Sequence, residues 1–399
     1  MPSPGPYLDR DVEVFVQLEA VWGTSPGALA GTDALKHTSG KAIKKVVAQR
    51  PRNQDKDYQQ PSVLTTQKGR EKSEFSLDCQ LIPSGNATTP TAPDVDPLLE
   101  AHFGTKHTAT AHTTTAAGSV GTAINFAVGG VVASGVAVGD FIVLDVSAAF
   151  GYEARQITAL PGGDVVTVNA AFSADPAVSR TVKVCTTYKL LQSAKKSVHV
   201  WEFLEGNQFR HLAPGTLVQN VEGECDFAND TPAGTLKFSG EGQAEAAQTA
   251  TSRPTPTTAG QPLVPDAGYA FIGATRQCLL GASFKSNNGL ELRENESCSL
   301  GPSGVKRTGN DSRYAVEAMV KMLLQTGGAI EGYYDNQAAL TAYDLLVQFG
   351  KTPGQIFGWR CSKFIPSVPA AVQDGEVSLE MSGTAFGTVG DDEIAVFFG

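Results

Sequence analysis

Hydrophobic positions recur with a period of two in several separate stretches. Val12, Val14, Val16 and Leu18 fall on one face of an extended segment, with Glu13, Phe15, Gln17 and Glu19 opposite. Phe75, Leu77, Cys79 and Leu81 likewise oppose Glu74, Ser76, Asp78 and Gln80. Such alternation is what a sheet with one buried and one solvated face requires. Further strands are expected at Phe141–Asp145, Arg155–Leu160, Val165–Asn169, Thr181–Leu190, His199–Leu204, Val221–Phe227 and Gly234–Gly240. In the last third they are expected at Tyr269–Phe284, Gly289–Glu294, Phe357–Phe364, Glu376–Gly383 and Glu393–Phe398. Pro161-Gly162-Gly163-Asp164 is a hairpin signal. Tyr314–Leu324 has helix-forming residue types, but Tyr314, Val316, Ala318 and Val320 alternate, and the alternation favours a strand.

Two helices interrupt this pattern. Asp96 is placed as an N-cap with Pro97 in the first turn and Gly104 at the end; Val95, Leu98, Leu99 and Phe103 form its apolar stripe. The second is expected from an Asn336 cap through Leu340, Tyr343, Leu346 and Val347 to Gly350.

The order of strands, helix and closing hairpin then occurs twice. "DVDPLLEAHFG" corresponds to "QAALTAYDLLVQFG", and "VEGECDFANDTPAGTLKFSGEG" to "RCSKFIPSVPAAVQDGEVSLEMSGTA". Residues 105–190 break the repeat and read as a small all-β module. The expected division is therefore 1–104 with 191–250 as a first domain, 105–190 as an inserted β domain, and 251–399 as a second domain. The fold class is mainly β.

The 399 residues carry a formal charge of −10, with 41% hydrophobic residues. That charge sign disfavours nucleic-acid binding over most of the surface. It is unevenly spread: residues 33–72 hold ten Lys/Arg against four Asp/Glu, a net of +6, leaving −16 for the rest. This segment is expected to be a long polar loop. Lys36, Lys41, Lys44, Lys45, Arg50, Arg52 and Lys56 make it a candidate arm for docking on an acidic neighbour. With Tyr58 as its one aromatic it offers bases nothing to stack on.

Acidic residues recur on the polar faces of strands: Glu74 and Asp78, then Glu222, Glu224 and Asp226, then Glu376 and Glu380. The plain reading is a solvated sheet face. The functional reading is a wall that repels phosphate.

Candidate chemistry is sparse. No nucleophile elbow, phosphate loop or H-E-x-x-H motif occurs. His102, His107 and His112 are spaced by five, but without an evident Cys or acidic partner they are expected to be solvated. The six cysteines are widely and irregularly spaced and are expected to be reduced, buried thiols. The first residues lack a signal peptide's pattern, and the most apolar run, Phe126 to Gly139, is too short to span a bilayer. No enzyme activity, cofactor, metal or membrane association is expected.

The segment "FSLDCQLIPSGNATTPTAPDVDPLLEAHFG" resembles the strand, loop and helix of major tail (tail tube) proteins of long-tailed bacteriophages. "DGEVSLEMSGTAFGTVGDDEIAVFFG" resembles that family's C-terminus, and "PAGTLKFSGEGQAE" is similar to the same hairpin in the first copy. The resemblance covers about two-thirds of the chain and omits residues 105–190. It implies a β-sandwich or barrel with a flanking helix, present twice, assembled as stacked rings around a DNA channel. The partners it implies are further copies of the chain, a tape-measure protein, a tail terminator, a distal tail protein, and viral DNA passing without specific binding. The location it implies is the virion tail, with assembly in the host cytoplasm. Two similar domains per chain favour a ring of three copies over six. The alternatives are a host-attachment protein whose inserted module binds a surface glycan, and a glycan hydrolase, for which no paired-carboxylate cleft is visible.

Overall fold

Because side chains alternate along a strand, each one-faced segment must bury its apolar row against a second layer. The chain meets this demand by closing strands into rings. The computed structural model describes residues 12–38, 42–51, 66–147, 151–191, 196–204, 209–226, 233–244, 246–248, 252–257, 260, 262–263, 268–273, 275–293, 304–307, 315–323, 340–367, 370–374, 376–388 and 390–399.

The first ring uses β1 (Val12–Leu18), β2 (Ala34–Leu35), β3 (Ile43–Pro51) and β4 (Thr66–Gln80). Helix α1 (Asp96–Phe103) and β5 (Gly104–Thr108) follow. The inserted module holds β6 (Thr113–Thr114), β7 (Ala123–Asn125), α2 (Gly130–Ser134), β8 (Phe141–Ser147), β9 (Gly151–Gly162), β10 (Val165–Val168) and β11 (Thr181–Val184). The chain returns through β12 (Thr186–Leu190), β13 (Val198–Leu204), β14 (Phe209–Asp226), β15 (Ala233–Gly242) and β16 (Ala246–Gln248). The last third contributes β17 (Gly268–Ile272), β18 (Thr275–Asn287), β19 (Leu290–Leu292), β20 (Val305–Arg307), β21 (Ala315–Leu323) and β22 (Tyr343–Phe349). It ends with β23 (Phe357–Pro366), β24 (Ala370–Asp374), β25 (Glu376–Phe386) and β26 (Ala395–Phe398).

In the first ring β1 pairs with β13, β13 with β14, β14 with β15 and β15 with β4, all antiparallel. The segment containing β2 closes it, pairing with β1 at Ala34–Leu35 and bridging from His37 to Cys79 of β4. The second ring runs β17–β22–β23–β25–β21–β18 and back to β17. Both rings have one connectivity: the first strand lies beside the second and fourth segments, and the hairpin-linked fifth and sixth lead back to the third. The two are fused, because β14 pairs with β18 over seven residues, from Asn220↔Asn287 to Asp226↔Gly281. One apolar cluster fills both interiors, from Val14, Leu77 and Phe103 to Trp359 and Met381.

The module is a third, smaller barrel, ordered β6–β11–β8–β9–β10–β7 and closed by a bridge between Thr115 and Phe126. Its β9–β10 turn places Gly163 and Asp164 at φ of 65° and 63°, the pair of positive values a tight two-residue hairpin needs. The flanking β5 and β12 pair with each other and belong to the large sheet, so the barrel is narrower than residues 105–190. It is also firmly docked. Phe141, Val143 and Ala154 pack on Phe271, Leu346 and Phe397, with Phe141 and Phe397 stacked at 4.3 Å. At the edge of that contact the fully buried Arg155 guanidinium lies 4.0 Å from the Phe271 ring centroid and 3.1 Å from Glu153, which also meets Arg276.

Three sequence expectations change. The second helix is a strand: β22 buries Leu345, Leu346, Val347 and Phe349 between β17 and β23, and a strand buried on both faces loses the alternation that marks it. Asn336 lies outside the described residues. Part of the basic loop is a hairpin, with β3 and β4 paired from Ile43↔Phe75 to Pro51↔Thr66, and residues 52–65 lie outside the described residues. The first helix is as expected in span, with Gly104 in the left-handed region at φ 88°. Its N-cap is Val95, however; the Asp96 carboxylate instead accepts from Tyr188 and pairs with Lys106.

At the fusion of the two rings, the Phe284 ring lies across Gly223. A Cβ on Gly223 would come within 2.3 Å of that ring, which is itself held 5.1 Å from Trp359. Gly223→Val is expected to destabilise the chain by about 1–3 kcal/mol through overpacking. Thermal or urea unfolding followed by circular dichroism checks this, and an unchanged midpoint would contradict the packing described.

Candidate functional site

The polar face across the fused rings is the candidate site. The strand order β3–β4–β15–β14–β18–β21–β25–β24 is unbroken, eight strands wide, and antiparallel at every step. Alternation turns Leu77, Phe238, Val221, Phe284, Val320 and Met381 into the core. It turns Asp78, Lys237, Glu222, Lys285, Glu317 and Thr384 to the other side. Among the described residues β3 pairs with β4 alone and β24 with β25 alone, so the run ends in an open edge at each side.

Register gives this face a pattern invisible along the chain. Asp78 lies opposite Lys237, Lys237 opposite Glu222, Glu222 opposite Lys285, and Lys285 opposite Glu317. The row alternates in sign over five strands and crosses the junction between the rings. Directly opposed side chains have Cβ atoms roughly 5 Å apart, close enough for opposite charges to attract. A neighbouring row continues with Glu224 and Ser283, and Lys237 Nζ also approaches Glu224 at 3.7 Å. Lys321 lies opposite Glu380. From Asp78 to Glu380 the face presents Asp78, Glu222, Glu224, Asp226, Glu317 and Glu380 against Lys237, Lys285 and Lys321, a formal −3. Over the second ring it dips into a hollow of about 500 Å³ walled by Glu222, Lys285, Glu317, Met319 and Ser382.

The expected acidic residues thus come together. Asp78, Glu222, Glu224, Asp226 and Glu380 share the face, and Glu74 lies at its margin, paired at 3.0 Å with Lys44. Glu376 opens β25, opposite Asp374. The face is not uniformly acidic, because the lysines lie on separate strands between the acids. Glu317, Lys237, Lys285 and Lys321 were not singled out in the sequence. Their alternation within each strand was the available signal, but the strand order was needed to read it.

Of the expected basic residues, four lie among the described ones, three of them on β3. Lys36 Nζ donates to Gly260 O at 3.1 Å, in the segment between β16 and β17. Lys44 and Lys45 pair across the hairpin with Glu74 and Glu71. Arg50 lies on β3. Lys41, Arg52 and Lys56 fall outside the described residues.

The three histidines separate, and none is simply solvated. His102 is buried between α1, β14 and β18, and burial lowers its pKa to about 4. His107 is bonded at 2.6 Å to Asp140, whose own pKa is raised by burial. His112 Nδ1 accepts from the Val184 amide, and burial, with Lys183 nearby, lowers it to about 4. Among the described residues no group of three His, Cys, Asp or Glu side chains could hold a metal, and no helix is long and apolar enough to cross a membrane. Cys79, Cys185, Cys225 and Cys361 are buried free thiols, with Cys361 pushed up to about 12 by burial. Cys278 is exposed, contrary to expectation, and Cys298 lies outside the described residues.

No protein-family model matches the chain, and no curated protein matches it.

What such a face can do is present a broad, weakly anionic surface to a partner. The alternating row carries a direct test. Lys285→Glu would set three carboxylates side by side at 222, 285 and 317, each like-charged cross-strand pair costing roughly 0.2–1 kcal/mol. The expected result is a lowered unfolding midpoint that recovers partly in high salt. A midpoint unchanged at low salt would contradict the register.

Proposed function

We propose that the chain is a structural subunit of a bacteriophage tail tube, which polymerises as stacked rings around a channel that conducts DNA. The observation that carries this reading is the eight-stranded polar face with an open edge at each end. Open edges are a liability in a soluble monomer, because their free amides and carbonyls pair with any available strand. Pairing β3 of one copy with β24 of the next satisfies both edges by one head-to-tail contact, which closes if the rotation per copy suits a ring.

The width of the run favours three copies. Three times eight strands make a barrel of 24, and with ~4.8 Å spacing and ~40° tilt its backbone diameter is roughly 45–50 Å. Inward side chains narrow this to roughly 35 Å, which admits a hydrated duplex. The shared connectivity of the two rings supports an origin by duplication, so that three chains imitate sixfold symmetry. The correspondence of β14–β15 with the β23 and β25 pair fits that origin. The helix correspondence does not, since β22 takes the place of β13.

The net −3 between Asp78 and Glu380 disfavours adhesion of phosphate over the middle of the wall. The lysines lie beside acids, which leaves few free cations for the duplex to grip. The tape-measure, terminator and distal tail partners rest on the family resemblance. The module lies against β17, β22 and β26, away from the polar face, and leaves the bore open.

Purified protein concentrated at neutral pH is expected to form hollow filaments with a regular axial repeat in negative-stain microscopy. Discrete compact particles at every concentration would contradict the proposal. A second test blunts one edge. Alternate amides of an edge strand point outward, so one of Val46→Pro and Val47→Pro removes only an outward donor. That variant is expected to remain a folded monomer and form no filaments. Filaments as abundant as wild type from both variants would overturn the role of β3.

A further inference from the structure

The junction between the rings has a polar end as well as its apolar packing. In β14 the pairing with β15 slips between Val218 and Asn220, and this bulge takes the Val218 carbonyl out of the regular ladder. Two side chains capture that oxygen. Asn288 Nδ2, just beyond β18, donates to it at 2.7 Å, and the His102 ring of α1 lies 3.1 Å away through Nδ1. The other ring nitrogen, Nε2, is 2.9 Å from the Ser286 hydroxyl of β18. A carbonyl only accepts, so Nδ1 carries the proton, and Nε2 of the neutral ring accepts from Ser286. One histidine thus ties α1, β14 of the first ring and β18 of the second.

We propose that His102 makes the bulged end of the junction between the two rings an acid-sensitive joint, whose protonation loosens the Val218–Ser286 end of the β14–β18 pairing while the ring interiors remain folded. The ring is 2% exposed, with Phe103 packed edge-on at 4.9 Å. An imidazolium there loses its hydration, and its Nε2 can no longer accept from Ser286.

The charged groups on the surrounding elements are engaged elsewhere. On α1 itself Asp96 and Glu100 pair with Lys106 of β5, and Glu100 also with Lys196. On β5 and β12, His107 and Lys189 turn to Asp140, and Tyr188 donates to Asp96. On β13, His199 lies near Glu19 and stacks on Trp201, and Glu202 accepts from the Ala42 amide. Glu13 of β1 pairs with Arg253. Glu222 of β14 and Lys285 of β18 lie on the opposite, polar face. The two hydrogen-bond partners of the His102 ring, Val218 O and Ser286 Oγ, are uncharged; the bond to the Val218 carbonyl offsets part of the cost of charging the ring, and burial outweighs it.

The sign follows from linkage. The folded pKa is lowered to about 4 by burial, against about 6.5 when the ring is free. The closed joint therefore loses stability as pH falls below about 6.5, down to about 4, and its opening constant rises roughly 100-fold between pH 7 and pH 4. This inference is independent of the tube reading, since it concerns one chain.

Two measurements on the full chain test it. In the first, ring carbons of histidine-labelled protein are titrated by NMR while amide exchange is followed. Two rings, those of His102 and His112, are expected to stay neutral until about pH 4, and protonation of the one whose signal His102→Gln removes should coincide with faster exchange in β14 and β18 near Val218 and Ser286. Core amides of β22 and β23 should keep their protection over that range. A His102 ring titrating near 6.5, or loss of junction and core protection together, would overturn the proposal. In the second, His102→Gln supplies a donor and an acceptor that do not titrate. Its junction amides are expected to lose the acid response, and a response equal to wild type would overturn the assignment. Should that variant not fold, the wild-type titration alone decides.

Discussion

The pairing of β14 with β18 is the constraint on which the rest of this structure depends. Without that pairing the two rings of six strands would have separate sheets and four exposed margins. Seven residues of shared ladder turn them into one sheet, one core and one polar face. That economy has a steric condition, met at Gly223, where the Phe284 ring of the second ring occupies the space a side chain would need. Phe284 in turn rests on Trp359, so the junction and the centre of the second ring are packed by the same aromatic group.

The inserted barrel follows the same logic of shared surfaces. Its β8–β9 face and the outside of the second ring are each too apolar to face water, and each covers the other. β26 completes the arrangement, paired on one side with β12, which follows the inserted barrel in the chain, and on the other with β23, so β26 fastens the root of the insertion to the second ring. Polar groups in that contact are matched in detail: Gln348 accepts from the Ala154 amide and donates to the Tyr152 carbonyl. The module is therefore part of the body of the molecule, and its removal would uncover Phe271, Leu346 and Phe397 together.

Much of the strand content was legible in the sequence, because most strands have one wet face and hence a period of two. Val316, Ala318 and Val320 settled β21 against its helix-forming residue types in this way. β22 was not legible, since burial on both faces erases the period, and Leu345 to Val347 then fit a helical stripe equally well. The β3–β4 hairpin was hidden for the opposite reason: beyond Ile43 and Phe75 it leaves the core, and its polar residues read as loop. The site was half legible. Acidic residues on strand faces could be seen one strand at a time, but the sign alternation from Asp78 to Glu317 exists only in the register between strands. His102 carried no signal at all, because its burial depends on a bulge in a strand more than a hundred residues away.

Under the tube proposal the ladder between the rings is completed within a chain, and the outer edges would be completed between chains. Amide hydrogen exchange compared in dilute monomer and in assembled protein tests it most directly. The β14 and β18 amides are expected to be protected in both states, while outward amides of β3 and β24 become protected on assembly alone. Edge amides that exchange as fast in the assembly as in the monomer, or a junction protected only after assembly, would contradict it.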